Sequence, residues 1–70
     1  MNEYKVIVNG QRGFHVISGE DPISAYHRCP VFKGTTLIPT TPNDPRAMVS
    51  IELLGGARKS VNYYIRKRAW

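Results

Sequence analysis

Two runs near the start of the chain, EYKVIV (residues 3–8) and FHVIS (14–18), are rich in β-branched and aromatic residues. NGQRG (9–13) separates them and supplies an Asn-Gly pair and a second glycine, so the pattern predicts a β-hairpin. Setting Val8 opposite Phe14 places Val6 opposite Val16 and gathers these four side chains on one face. The other face then carries Lys5, Ile7, His15 and Ile17 and is half apolar. A sheet with one strongly apolar face asks for a helix on that side.

The next segment, SGEDPISAYHRCP (18–30), predicts that helix. Asp21 suits the N-cap, Pro22 the first helical position, and Glu20 with Asp21 the positive end of the helix dipole. Ile23 and Tyr26, together with Ala25 and Cys29, would turn toward the sheet. Pro30 disfavours helical backbone at Cys29 and closes the element. Two turns are too few to persist in isolation, so packing must hold them. VFKGTTLIP (31–39) reads as a third strand, placed at an edge by Gly34 and Pro39. PTTPNDP (39–45) reads as a proline-rich surface loop suited to a contact role.

The last hairpin follows from two alternations, Val49, Ile51, Leu53 in AMVSIELL and Val61, Tyr63, Ile65 in KSVNYYIRK. A two-residue turn at Gly55-Gly56 would set Ile51 against Ser60 and break both. A three-residue turn, Gly55-Gly56-Ala57, sets Ile51 against Val61 and Val49 against Tyr63, and this register is expected. The sum is one α+β domain over residues 1–70. Its small antiparallel sheet has two hairpins and an edge strand, with one short α-helix, in the order ββαβββ.

Size changes the picture by limiting what can hold the fold. A chain of 70 residues buries only about 60% of its unfolded surface. With one cysteine, Cys29, no intramolecular disulfide can form, and two histidines beside it give no zinc spacing. Packing or a partner subunit must do the work. A lone thiol, a start without signal-peptide character and the lack of an apolar run of about 20 residues point to a cytoplasmic, non-membrane protein.

Charge changes it further. The net charge is +5. Over residues 1–57, Lys5, Arg12, Arg28, Lys33 and Arg46 balance Glu3, Glu20, Asp21, Asp44 and Glu52, so the excess is Arg58, Lys59, Arg66, Lys67 and Arg68. All of it lies in RKSVNYYIRKRAW (58–70), which has no acidic residue. In the expected register the outward face of this strand reads Arg58, Ser60, Asn62, Tyr64, Arg66, Arg68. Cations with an interleaved aromatic suit nucleic acid: Arg and Lys neutralise phosphates and a tyrosine ring stacks on a base. Asn62 can read a base edge, and Trp70 offers a second stacking group or an anchor in a protein partner. The candidate binding residues are therefore Arg58, Lys59, Asn62, Tyr64, Arg66, Lys67, Arg68 and Trp70. The competing reading makes the same charges a guard against edge pairing, with residues 66–70 a flexible basic tail.

Nothing else carries chemistry. His27 and Cys29, two apart on a helix, point to different sides and share no third ligand. His15 reads as a half-buried strand residue, Glu20 and Asp21 as capping residues. LLGGARKS lacks the spacing of a phosphate loop and falls in a hairpin. No catalytic residue, metal site or cofactor is expected, and an enzyme is not.

The YKVIVNG…FHVIS hairpin and the DPISAYHRC helix, in a chain this short, resemble the layout of small phage-encoded host-takeover proteins that bind host RNA polymerase, such as the small antitermination protein of Xanthomonas phages. The resemblance is one of size and layout and transfers no residue role. It implies a non-enzymatic regulator that docks on a host nucleic-acid-handling complex, most plausibly RNA polymerase in a bacterial cytoplasm. Such a regulator would inhibit or antiterminate transcription by occluding or redirecting a channel. A direct DNA- or RNA-binding β-ribbon is the alternative. An inhibitor of a CRISPR or restriction effector is a third, disfavoured because such inhibitors are often acidic DNA mimics.

Overall fold

A computed structural model describes residues 1–56 and 60–68. The elements are β1 (Asn2–Val8), β2 (His15–Gly19), α1 (Pro22–Arg28), a 3-10 turn (Pro30–Phe32), β3 (Thr35–Thr40), β4 (Val49–Leu54) and β5 (Val61–Arg68). The strands form one five-stranded sheet in the order β2-β1-β4-β5-β3, with every neighbouring pair antiparallel. The fold class is α+β and the element order ββαβββ, as the pattern predicts. β3 is an edge strand, which accommodates Pro39. β3 takes in Pro39 and Thr40, so the expected loop begins two residues late, at Thr41.

The segment from β2 to β3 carries α1 and the 3-10 turn from one edge strand to the other, and the core lies beneath it. Tyr4, Val6, Val8, Ile17, Leu37, Val49, Ile51 and Tyr64 from the sheet meet Ala25, Tyr26 and Phe32. Asp21 caps α1 as expected: its carboxylate accepts from the Ser24 amide at 2.8 Å and from Ser24 Oγ at 2.9 Å. Those bonds hold the Asp21 carboxyl below its ordinary pKa. Cys29 is extended ahead of Pro30 and ends the helix. Tyr26 is fully buried and stacks on Phe32 with ring centroids 4.4 Å apart. The Thr35 hydroxyl spends its hydrogen on the Phe32 carbonyl, so Tyr26 Oη donates to Thr35 Oγ1 at 2.6 Å.

Both hairpins differ from the expected register by one residue. In the first, Val6 lies opposite His15 and Lys5 opposite Val16. Ile17 and Gly19 therefore join Tyr4 and Val6 beneath the helix, while Phe14 and Val16 turn away. Helix docking gives the reason. A Cβ on Gly19 would stand 2.9 Å from Ala25 Cβ, so the helix approaches only where β2 has no side chain. In the second hairpin, Ile51 lies opposite Asn62 and Val49 opposite Tyr64. The register is shifted by one residue from the expected one, and Gly55 leaves β4 with φ +76°. Val61, Tyr63 and Ile65 consequently face away from the helix, and Tyr64 enters the core.

Candidate binding surfaces

β5 outruns β4. The last pair between them is Val49 with Tyr64, yet β5 continues along β3 through the pairs Ile65–Ile38, Arg66–Leu37, Lys67–Thr36 and Arg68–Thr35. This two-stranded ribbon ends in basic side chains, and Lys33, exposed just before β3, belongs to the same end. Arg66 is half-buried beside Leu37, while Lys67 and Arg68 are exposed. Residues 66–68 are thus strand and not a hanging tail. The alternation of the strand divides them. Arg66 and Arg68 share the helix side with Tyr64, and Lys67 lies on the opposite side with Tyr63 and Ile65.

This arrangement corrects the expected basic face: Asn62, Tyr64, Arg66 and Arg68, expected to face outward, lie on the helix side. Tyr64 is 4% exposed and cannot stack on a base. It packs under the start of the crossover, and burial raises the pKa of its phenol. Asn62 is exposed on the helix side, opposite Ile51. Arg58, Lys59 and Trp70 lie outside the described residues. The aromatic on β5 that does reach the surface side is Tyr63, which pattern reasoning placed in the core.

The second surface is the sheet face that no helix covers. Val16 on β2, Lys5 on β1, Glu52 on β4 and Val61 on β5 form one row across it, and Ile7, Ser50, Tyr63 and Thr40 form the next. Phe14 is 55% exposed, Val16 51% and Ile7 40%, with Ile38 and Val61 also open. Lys5 Nζ stands 4.5 Å from the centroid of the Phe14 ring, a cation–π contact, and Lys5 also lies directly opposite Glu52. The signal for this face was present in the half-apolar second side of the first hairpin.

Where the 41–48 loop folds against this face it encloses a recess of about 280 Å³ lined by Ile7, Met48, Ser50, Tyr63, Pro42 and Asp44. The Asp44 carboxylate is already engaged: it accepts from Thr40 Oγ1, from the Arg46 amide at 2.8 Å and from the Arg46 guanidinium at 3.2 Å. The Thr40 bond first, and the Arg46 bonds next, lower its pKa to about 2. The loop is thereby an ordered element, with the carboxylate as its internal clasp.

The histidines and the cysteine have packing partners. The His15 ring meets Phe32 edge-on at 5.2 Å, and His27 meets Tyr26 at 5.7 Å. Cys29 is half-buried against the core. Among the described residues no group of three or more His, Cys, Asp or Glu side chains is placed to hold a metal ion, and no helix is long and apolar enough to cross a membrane. Two surfaces therefore stand out for their chemistry: a basic ribbon end that suits a polyanion, and a sheet face of zero net charge that exposes many apolar side chains. In comparisons with known proteins, no family model, curated protein or solved structure matches this chain.

Proposed function

We propose that the protein is a small non-enzymatic regulator that docks on a nucleic-acid-handling protein complex, RNA polymerase foremost, in a bacterial cytoplasm. It would alter transcription by holding the basic end of the β3–β5 ribbon against nucleic acid, or against an acidic surface that substitutes for it, at the mouth of a channel. The supporting observation is the gathering of Lys33, Arg66, Lys67 and Arg68 at one end of a ribbon that extends past the rest of the sheet. Positive charge placed on a protruding element attracts phosphate backbones and is free to enter a cleft that the bulk of the domain cannot.

The ribbon itself favours one second reading, direct binding of duplex DNA, because a two-stranded β-ribbon fits the major groove. Salt dependence separates the two. Measured by fluorescence anisotropy on labelled RNA and duplex DNA, direct binding should weaken by about 10³-fold or more between 50 and 200 mM salt. A docking regulator binds naked nucleic acid weakly and purified bacterial RNA polymerase tightly. In either case, replacing Arg66, Lys67 and Arg68 together with Ala should reduce binding and lower the salt slope by about 2 to 3. Unchanged binding by the triple variant would remove the basic end from the mechanism.

A further inference from the structure

We propose that the uncovered sheet face is the interface of a homodimer in which two copies pack face to face, giving four layers in the order helix, sheet, sheet, helix. The first support is the orientation of β5. Of its apolar and aromatic side chains, Val61, Tyr63 and Ile65 turn to the uncovered side, and Tyr64 goes beneath the helix. β2 does the same with Val16, followed by Phe14 just before the strand. With Ile7, Leu54 and Ile38, each of the five strands or its flank brings an apolar group to this face, around Lys5, Glu52 and Ser50 on the inner strands. Solvated sheet faces instead alternate to polar residues, and exposed apolar groups gathered on one face mark contact sites.

Charge selects the occupant. The strand residues of this face include Lys5 and Lys67 against Glu3 and Glu52, a balance of zero on a chain whose total is +5. Nucleic acid would gain nothing from such a surface, and the exposed Phe14 ring is already covered by Lys5. A second copy fits it, because a two-fold interface needs one patch complementary to itself, and here a Lys5–Glu52 pair on the inner strands carries both signs of charge between apolar groups on either side. Dimensions agree. Five strands spaced about 4.8 Å apart, each contributing about six residues at about 3.3 Å, make a flat footprint on the order of 450 Å². Side-chain relief raises this toward the roughly 800 Å² per partner of a standard interface. Two sheets can pack this way with strand directions about 30° apart. The chain also has no disulfide to offset its small core, and association is the usual remedy at this size.

Sedimentation equilibrium from about 5 to 500 µM tests this, the range bracketing a modest interface. The expected result is a reversible monomer–dimer equilibrium. Val16→Lys with Val61→Lys, both exposed and both remote from the basic ribbon end, should weaken it at least tenfold, with the circular dichroism spectrum unchanged. A monomer at every concentration overturns the proposal, as does a folded double variant that dimerises like the parent. Should the double variant fail to fold, methyl NMR of the unaltered protein on dilution decides. Shifts confined to Ile7, Val16, Ile38, Val61 and Ile65, with Val6 and Ile51 silent, support the interface. Shifts elsewhere, or on the face only when RNA is added, overturn it. Because the substitutions leave Arg66, Lys67 and Arg68 in place, polymerase and nucleic-acid binding can be scored independently.

Discussion

The two sides of the sheet are built from the same strands and could hardly be more different in what they face. One side presents Val6 and Ile51, both fully buried beneath α1 and the 3-10 turn. The other presents Ile7, Val16 and Val61, each at least a third exposed, within three residues of buried neighbours in sequence. On β1 and β4 the stronger apolar alternation points under the helix. On β5 it points the other way. A sheet this small therefore divides its hydrophobic side chains between an internal core and a surface still to be covered, which alternation within a single strand does not reveal.

Substitutions can break that contrast, and the largest effect should come from the helix side. Tyr26→Ala removes a buried ring, its stacking on Phe32 and its bond to Thr35, at a cost of about 3 to 5 kcal/mol. For a domain of this size that is enough to leave it largely unfolded at room temperature, as read by circular dichroism. Ile7→Ala on the uncovered side should cost the monomer less than about 1 kcal/mol at low protein concentration. Equal losses from the two substitutions would show that the two sides are equally buried in solution.

A smaller effect tests how the helix sits. Gly19→Ala forces a Cβ against Ala25 and should cost about 1 to 3 kcal/mol in chemical denaturation. Adding Ala25→Gly removes the clash and should restore part of that loss, reduced by the lower helix propensity of glycine. If the pair is no better than the single substitution, the helix does not dock over Gly19.

The smallest effect belongs to the loop on the uncovered side. Asp44 has its carboxyl held down to about 2 from an ordinary 3.8. Its contribution to order is fully present above 3.8 and is lost as pH falls from there through about 2. Amide signals of Thr40 and Arg46 should move together over that window, and Asp44→Asn should abolish the transition while the core signals stay put. A transition centred near 4 would mean that the clasp does not hold in solution.

How much of this was legible in the sequence differs between helix and hairpins. The helix was readable because its signals are local: Asp21 caps, Pro22 starts and Pro30 stops it, each through its own backbone chemistry. The element order followed from the same kind of punctuation. Register was not readable, because both hairpins pair segments that are apolar at odd and even positions alike. VNYYIRK offers a tyrosine to either side, and IVNGQRGFHVI closes nearly as well with one residue more or less. The choice was made elsewhere, by Gly19 beneath Ala25 and by the space that Tyr64 fills, neither of which is a property of the hairpin itself. The basic residues 66–68 lie on the last strand, which the sequence left open between strand and tail, and the faces expected for that strand were exchanged by that same slip. Tyr64 therefore left the candidate site, and Tyr63 reached the uncovered face.

The strand order has a consequence for how the molecule comes into being. β1 lies between β2, its immediate successor, and β4, whose partners Val49 and Leu54 answer Val8 and Glu3 from the far side of the chain. The β1–β2 and β4–β5 hairpins and the short helix are local, whereas β1–β4 and β3–β5 join strands far apart in sequence. Those two long-range ladders close large loops before they return any energy, a topology associated with folding in milliseconds to seconds and not microseconds. Until β4 arrives, the early hairpin has an open edge and no core to rest on. The rate-limiting event should therefore be the capture of β4 by β1, and slowing that step would lengthen the time for which the chain is prone to join another copy in the wrong way.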